Sequence, residues 1–384
     1  MLIPKILIFA HDASLYGASQ SLLTLIEGIK NNQFAEIFVI LPHKGEIEEK
    51  LKSLNINFEV IPFPRCFLRD KSINLFGRFK EIVKYNSQLN SVSPVILKTI
   101  EQFKPDLIYS NTSIISVGAY MAKKNNLPHV WHIREFGDLD YNLGYIPSRK
   151  NIVKQMHQSS SVIFVSKALQ KHWLGNALNH SKVIYNGIIN QSYDVIPHYP
   201  TQDKFTFGIL GTFMPGKGQD IAIRAIGLLV KKYPHIMLSI YGNIFDKVYH
   251  QKLIDLIAEL NIEKNIIFHS FEKNQDVLYR NLNVLLNCSL MEGFGRTIIE
   301  AMSRGIPVIA NASGGPLEII KHEENGFLYS HTPESLASYM EKLVSDPKLY
   351  KSISENGMRH ALNYSITTYV DNVCVVFDKV LAKK

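Results

Sequence analysis

Ser289-Leu-Met-Glu292-Gly293-Phe294-Gly295-Arg296-Thr297-Ile-Ile-Glu300-Ala-Met-Ser-Arg-Gly305-Ile-Pro-Val-Ile-Ala310 is the stretch that decides the fold of this chain. It is preceded by a short apolar run, Val284 to Asn287, and ends in a second, Pro307 to Ala310. Each is the length of one buried strand. Between them, Thr297 to Arg304 carries helix formers and neither Gly nor Pro. The order is therefore strand, glycine loop, helix, strand. Parallel strands joined in this way put the loop and the helix start at the carboxyl edge of a sheet, where ligands bind. Unpaired N–H groups and the positive end of the helix dipole favour an anion there. Two acids, Glu292 and Glu300, flank that anion site. They would repel a phosphate unless they hold hydroxyls at its ends, and a nucleotide sugar has that layout. An ordinary strand–helix–strand unit with two solvated glutamates is the alternative.

Glu292-x-Phe294-Gly295-x-x-x-x-Glu300 resembles the E-x-F-G-(x)4-E signature of retaining glycosyltransferases of the GT-B fold, in glycosyltransferase family 4. The match continues through Ala301-Met302, Gly305 to Ala310, Gly314-Gly315-Pro-Leu-Glu318 and Asn325-Gly326-Phe-Leu. The resemblance implies an α/β chain of two Rossmann-like doubly wound domains facing across a cleft, with a C-terminal helix crossing back to the first domain. It implies that Glu292 hydrogen-bonds the donor sugar and Glu300 the nucleotide ribose. The amides after Phe294, at Gly295, Arg296 and Thr297, would hold the pyrophosphate.

The rest of the chain fits two such domains. A length of 384 residues with 46% hydrophobic and 20% charged residues is ordinary for two soluble cores. Cys66, Cys288 and Cys374 are widely spaced and form no C-x-x-C pair, which argues against a disulfide framework or a zinc site. Met1 to Ala10 is too short for a signal peptide, and no window nears about 20 apolar residues, the length that spans a membrane. A cytoplasmic protein is expected, or one peripheral on the inner face of a membrane. The formal charge is +8, and the first 200 residues hold 22 Lys/Arg against 15 Asp/Glu. That excess suits an anionic partner or simply a well-solvated surface.

Strands are expected at Lys5–Ala10, Ile37–Leu41, Phe58–Ile61, Asp106–Ser110, His129–His132, Ser161–Val165 and Lys182–Ile184, alternating with helices. Gly17, in a loop that opens the first helix, resembles the family's glycine loop near the reacting centre, where the usual pair of glycines is Tyr16-Gly17 here. Arg65 to Tyr85 mixes six basic residues with aromatics. It reads either as an amphipathic helix with a basic outer face or as a segment lying on an anionic membrane. Trp131-His132-Ile133-Arg134-Glu135 ends a strand; the family commonly places a His there, near the donor sugar. Asp138-Leu-Asp140 spells the metal-nucleotide motif of the other large transferase fold and is read as chance. Asn190 to Lys204 reads as the linker, so the first domain spans 1–195 (with 366–384) and binds acceptor, and the second, 203–365, binds the nucleotide sugar.

The second domain opens Phe205 to Leu210, then Gly211-Thr212-Phe-Met-Pro-Gly216-Lys217-Gly218. This nearly spells a P-loop, but Gly218 stands where a magnesium-binding hydroxyl belongs. By resemblance Lys217 is the family's phosphate lysine, while Thr212 stands where an arginine is usual; Arg296 is the expected substitute. Gly211 and Gly242, after two strands, join the donor loops, and Phe271 is a candidate wall of the base pocket. Pro333–Ser345 and Pro347–Asn363 read as helices opened by proline. The expectation is a glycosyltransferase moving a sugar from a UDP or GDP donor to a glycan or lipid-linked acceptor, in polysaccharide synthesis. It needs no cofactor, no metal and no nucleic acid, and Glu292, His132 and Lys217 are its catalytic residues. A glycoside hydrolase using Glu292 and Glu300, a nucleotide-sugar epimerase of the same fold, and a non-catalytic nucleotide-sugar binder are the other readings.

Overall fold

A computed structural model describes residues 3–69, 73–175, 179–190, 204–272 and 274–383. The chain divides into two compact units, Met1–Gly187 with Ile366–Lys384, and Ile188–Ser365. The expected linker falls largely at 191–203, outside the described residues.

In the first unit β1 (Lys5–Phe9), β2 (Glu36–Leu41), β3 (Asn57–Val60), β5 (Leu107–Asn111), β6 (His129–Ile133), β8 (Ser161–Phe164) and β9 (Ser181–Val183) form one parallel sheet in the order β3-β2-β1-β5-β6-β8-β9. A separate antiparallel pair joins β4 (Phe67–Leu68) to β7 (Gly144–Tyr145). All five residues of β5 and of β6 are buried. Both faces of a central parallel strand are covered, so such strands read as apolar runs rather than alternations. The helix Ile366–Leu381 completes this unit. Its Val370 packs on Gly28 of the helix Gly17–Asn31, and its Phe377 ring meets Tyr109 of β5 at 5.8 Å.

In the second unit β10 (Phe205–Leu210), β11 (Ile236–Tyr241), β12 (Ile266–His269), β13 (Val284–Asn287), β14 (Val308–Asn311) and β15 (Phe327–Tyr329) form a second parallel sheet, ordered β12-β11-β10-β13-β14-β15. In both sheets the order reverses once, between β1 and β5 and between β10 and β13. Loops leaving a sheet at such a reversal diverge and open a crevice at its carboxyl edge. The prolines expected to open helices do so at Pro333–Ser345 and Pro347–Ala361, capped by the Thr332 and Asp346 side chains.

One expected element is corrected. Arg65 to Tyr85 is not one helix: Phe67 and Leu68 are β4, residues 70–72 lie outside the described residues, and the helix runs Leu75–Phe103 through Pro94. Asn74 sets its start by accepting from the Gly77 N–H at 2.8 Å. Among the described residues no helix is long and apolar enough to cross a membrane.

Candidate functional site

The reversal in the second sheet gathers most of the residues singled out from the sequence. The loop after β10 carries Gly211, Thr212 and Lys217, and the loop after β13 carries Ser289 to Gly295. The two are tied by backbone, with Leu290 N–H donating to Gly216 O at 2.9 Å. Gly218 has φ +66°, and a Cβ there would stand 2.2 Å from the Cys288 carbonyl oxygen. The residue that spoils a P-loop is thus the one that lets the first loop lie against the end of β13. Gly242, after β11, faces the Gly211 carbonyl so closely that a Cβ would sit 2.0 Å from its oxygen. Thr212 holds the same loop to the next helix, its carbonyl accepting from Gln219 Nε2 at 3.0 Å.

This stacking of backbones aims Lys217 at the loop after β13. Lys217 Nζ lies 3.5 Å from Glu292 Oε2 and donates to Ser289 Oγ at 3.4 Å. Ser289 Oγ donates in turn to Glu292 Oε2 at 3.3 Å. The lysine and glutamate side chains are 21% and 22% exposed, so the pair is partly desolvated yet reachable. A cation, an acid and a hydroxyl at the mouth of a crevice can grip an anionic group and a hydroxyl-bearing group at once.

Gly295 (φ +103°) is the N-cap of the short helix Arg296–Met302, whose start includes Thr297. Phe294 is buried below the loop against Tyr364, ring centroids 5.9 Å apart. Glu300 is 5% exposed. Its Oε2 accepts from Tyr279 OH at 2.9 Å, and its Oε1 pairs with Arg296 Nη2 at 3.3 Å. Burial and the Glu300 charge together push the Tyr279 phenol far above its usual range, which keeps it a hydrogen-bond donor. Arg296, expected beside the phosphate, therefore also neutralises Glu300. Phe271 follows β12 and is 37% exposed.

The first unit builds a second polar cluster at its own reversal. His132, at the end of β6, is fully buried. Its Nδ1 is 2.8 Å from Tyr109 OH and 3.4 Å from Arg134 Nη2. Its Nε2 has no hydrogen-bond partner among the described residues. Burial first, then the Arg134 charge, holds the imidazole neutral to well below its usual range. Arg134 donates to Asn111 Oδ1 and Asn186 Oδ1, both at 2.6 Å, and to Tyr369 OH at 2.9 Å. Gly17 is exposed at the first position of its helix, after Tyr16. The Asp138–Asp140 motif is structural. Asp138 accepts from His172 Nε2 at 2.8 Å, and Asp140 from the Phe136 and Gly137 N–H groups at 2.9 and 2.6 Å.

Sequence reasoning passed over Ser289, Tyr279, Arg134, Tyr109 and Tyr369. Arg134 left one signal, its spacing of two from His132 at a strand end, which puts both on one side of the strand. Tyr369 left none, since its partner is 235 positions away.

Residues 197–360 match the family described as glycosyl transferases group 1. An uncharacterized glycosyltransferase of Methanocaldococcus jannaschii is 27% identical over 325 residues, 71% of this chain and 79% of that one. Protein CapJ of Staphylococcus aureus is 28% identical over 333 residues, 82% and 76% of the two chains. Among solved structures, Anabaena HepE in complex with UDP and glucose superposes with a TM-score of 0.81 over 98% of this chain and 100% of that one, at 23% identity. That likeness shows the two-domain GT-B fold.

Proposed function

We propose, from the match of residues 197–360 to the glycosyl transferases group 1 family, that the protein moves a sugar from a nucleotide-diphosphate donor to a glycan or lipid-linked acceptor. The observation that carries the proposal is the Lys217–Glu292–Ser289 triangle at the β10/β13 reversal. Lys217 exchanges its carboxylate partner for the donor diphosphate, and Glu292, released, takes hydroxyls of the sugar. Glu300 holds the ribose and Phe271 walls the base. As the glycosidic bond breaks, negative charge grows on the leaving phosphate. A preorganised cation or N–H aimed at such charge lowers the barrier by about 3 kcal/mol. Lys217 and the amides of Gly295 to Thr297 do that work, with Arg296 adding a second cation, so the scheme invokes no metal or other cofactor. His132 offers its Nε2 to the sugar. The acceptor attacks on the face the phosphate leaves, with retention, and the phosphate takes its proton.

The donor proposed is a UDP-sugar, in line with the UDP and glucose held by Anabaena HepE. The setting proposed is polysaccharide synthesis in the cytoplasm, at the inner face of a membrane. Thermal melting with UDP-, GDP- and ADP-sugars tests the reading. A cognate donor at 100 times its Kd adds about 2.7 kcal/mol of stability. The expected result is a rise in melting temperature with a UDP-sugar, lost in Lys217→Ala. Nucleotide release should then appear only when acceptor is added, and fall in Glu292→Ala. No shift with any nucleotide sugar would sink the proposal.

A further inference from the structure

The start of the helix Leu75–Phe103 shows several large apolar side chains to water. None of its residues before Tyr85 is buried. Leu75 is 87% exposed, Phe76 68%, Phe79 62% and Val83 51%. At 3.6 residues per turn these four side chains fall within about 100° of the helix circumference. They form a continuous apolar stripe along its first two and a half turns, next to the face that is buried from Tyr85 onward. Lys80 and Lys84, both exposed, continue round the helix on the far side of the stripe. The Lys80 ammonium lies 4.6 Å from the centre of the Phe76 ring. The projecting turns are anchored. Arg78 Nη2 donates to the carbonyls of Tyr145 and Pro147 at 3.0 and 3.2 Å, and Tyr85 OH is hydrogen-bonded to Ser116 Oγ at 2.5 Å.

An apolar stripe of this size on a surface marks an interaction site. Charge decides its partner. Residues 65–84 hold six Lys/Arg against two Asp/Glu, and a groove of about 510 Å³ in the same region is lined by Arg65, Arg69, Lys84 and Tyr85, with Glu81 its acid. Apolar residues on one side and cations beside them are what a helix lying in the plane of an anionic bilayer requires. We infer that the first turns of the helix Leu75–Phe103 dock the protein on an anionic lipid bilayer. Leu75, Phe76, Phe79 and Val83 enter the interface, and Lys80, Lys84 and the groove cations meet lipid phosphates. The inference names the docking surface behind the membrane location proposed above and does not depend on sugar transfer.

Co-sedimentation of the full chain with phosphatidylcholine vesicles, with and without phosphatidylglycerol, tests it. The wild type should pellet with phosphatidylglycerol vesicles and stay in solution with phosphatidylcholine alone. Phe76→Ser with Phe79→Ser should weaken vesicle binding about tenfold or more, and Lys80→Glu with Lys84→Glu should remove the dependence on phosphatidylglycerol. The substituted side chains are exposed, so melting temperatures should be those of the wild type. Phe245→Ser, in the separate exposed cluster of Ile244, Phe245 and Val248, should leave binding unchanged. Wild type that stays in solution with both vesicles overturns the inference, as does an equal loss in Phe245→Ser. A dimer in light scattering that the paired serine substitutions dissolve overturns it too, by making a second copy the occupant. Vesicle binding without transfer would remove the catalytic reading and leave this one standing.

Discussion

At the scale of single residues, the first unit fixes a proton position. A guanidinium only donates. Arg134 Nη2 donates towards His132 Nδ1 at 3.4 Å and towards Tyr109 OH at 3.5 Å. The phenol, having accepted, has its own proton free for Nδ1 at 2.8 Å. Nδ1 is therefore an acceptor twice over, and the neutral ring carries its hydrogen on Nε2, which has no partner among the described residues. A nitrogen with that hydrogen donates to a sugar oxygen and accepts nothing. The expected outcome is a ¹⁵N spectrum at pH 7 in which His132 is the neutral Nε2–H tautomer, with Tyr109→Phe admitting some Nδ1–H form. A protonated ring, or an Nδ1–H tautomer in the wild type, would contradict the assignment. A hydrogen-bonded buried histidine is more often structural, and here the orphan Nε2 separates the two cases.

At the scale of elements, the loops of the second unit are positioned by contacts a side chain would break. Gly218→Ala places a Cβ at φ +66° and 2.2 Å from the Cys288 oxygen. Such backbone strain costs about 1–3 kcal/mol, and the loop carrying Lys217 would lift from β13. Urea unfolding should show that loss, together with donor binding weakened beyond what the stability change explains. An alanine variant as stable and as tight as wild type would show the close approach to be unimportant. The same loops explain what the sequence could show. Strands such as β1 and β13 are apolar runs between loops, and Pro333 and Pro347 announce their helices, so local pattern suffices for them. The two-residue β4 and β7 have no pattern of their own. The helix Leu75–Phe103 was legible only in part, because its apolar residues before Tyr85 serve no core and Pro94 interrupts its spacing. In the site, the spacing of Glu292, Phe294, Gly295 and Glu300 is local and visible, as is Lys217 before its glycine. The pairing of Lys217 with Glu292, of Tyr279 with Glu300, and of Arg134 with Tyr369 is tertiary, and no period in the chain encodes it.

At the scale of the whole molecule, buried titratable groups make stability depend on pH, and their signs oppose. His129 is 4% exposed, and burial lowers it to about 3; Ser110 and Ser159 hydroxyls satisfy its nitrogens at 2.9 Å each. His132 is lowered as well, by burial and then by Arg134. For both, the unfolded chain binds the proton that the folded chain refuses. Their contribution is complete above the unfolded value of 6.5 and is lost as pH falls below it. Glu135 runs the other way. Burial raises it to about 7, against hydrogen bonds from Ser113 that lower it. The folded chain therefore holds that proton between about 4.5 and 7, and its stabilising effect grows as pH falls through that range. Burial also lowers His11 to about 3, so the lowered histidines outnumber the one raised glutamate, and unfolding takes up protons between pH 6 and 4.5. Melting temperatures taken across that range should fall with pH. Glu135→Gln removes the opposing group and should steepen the fall, while His129→Gln should flatten it. A slope that Glu135→Gln leaves unchanged would mean that the carboxyl is ionised in the folded protein. The Ser113 N–H and hydroxyl would then hold it as an anion, despite the burial that favours its neutral form.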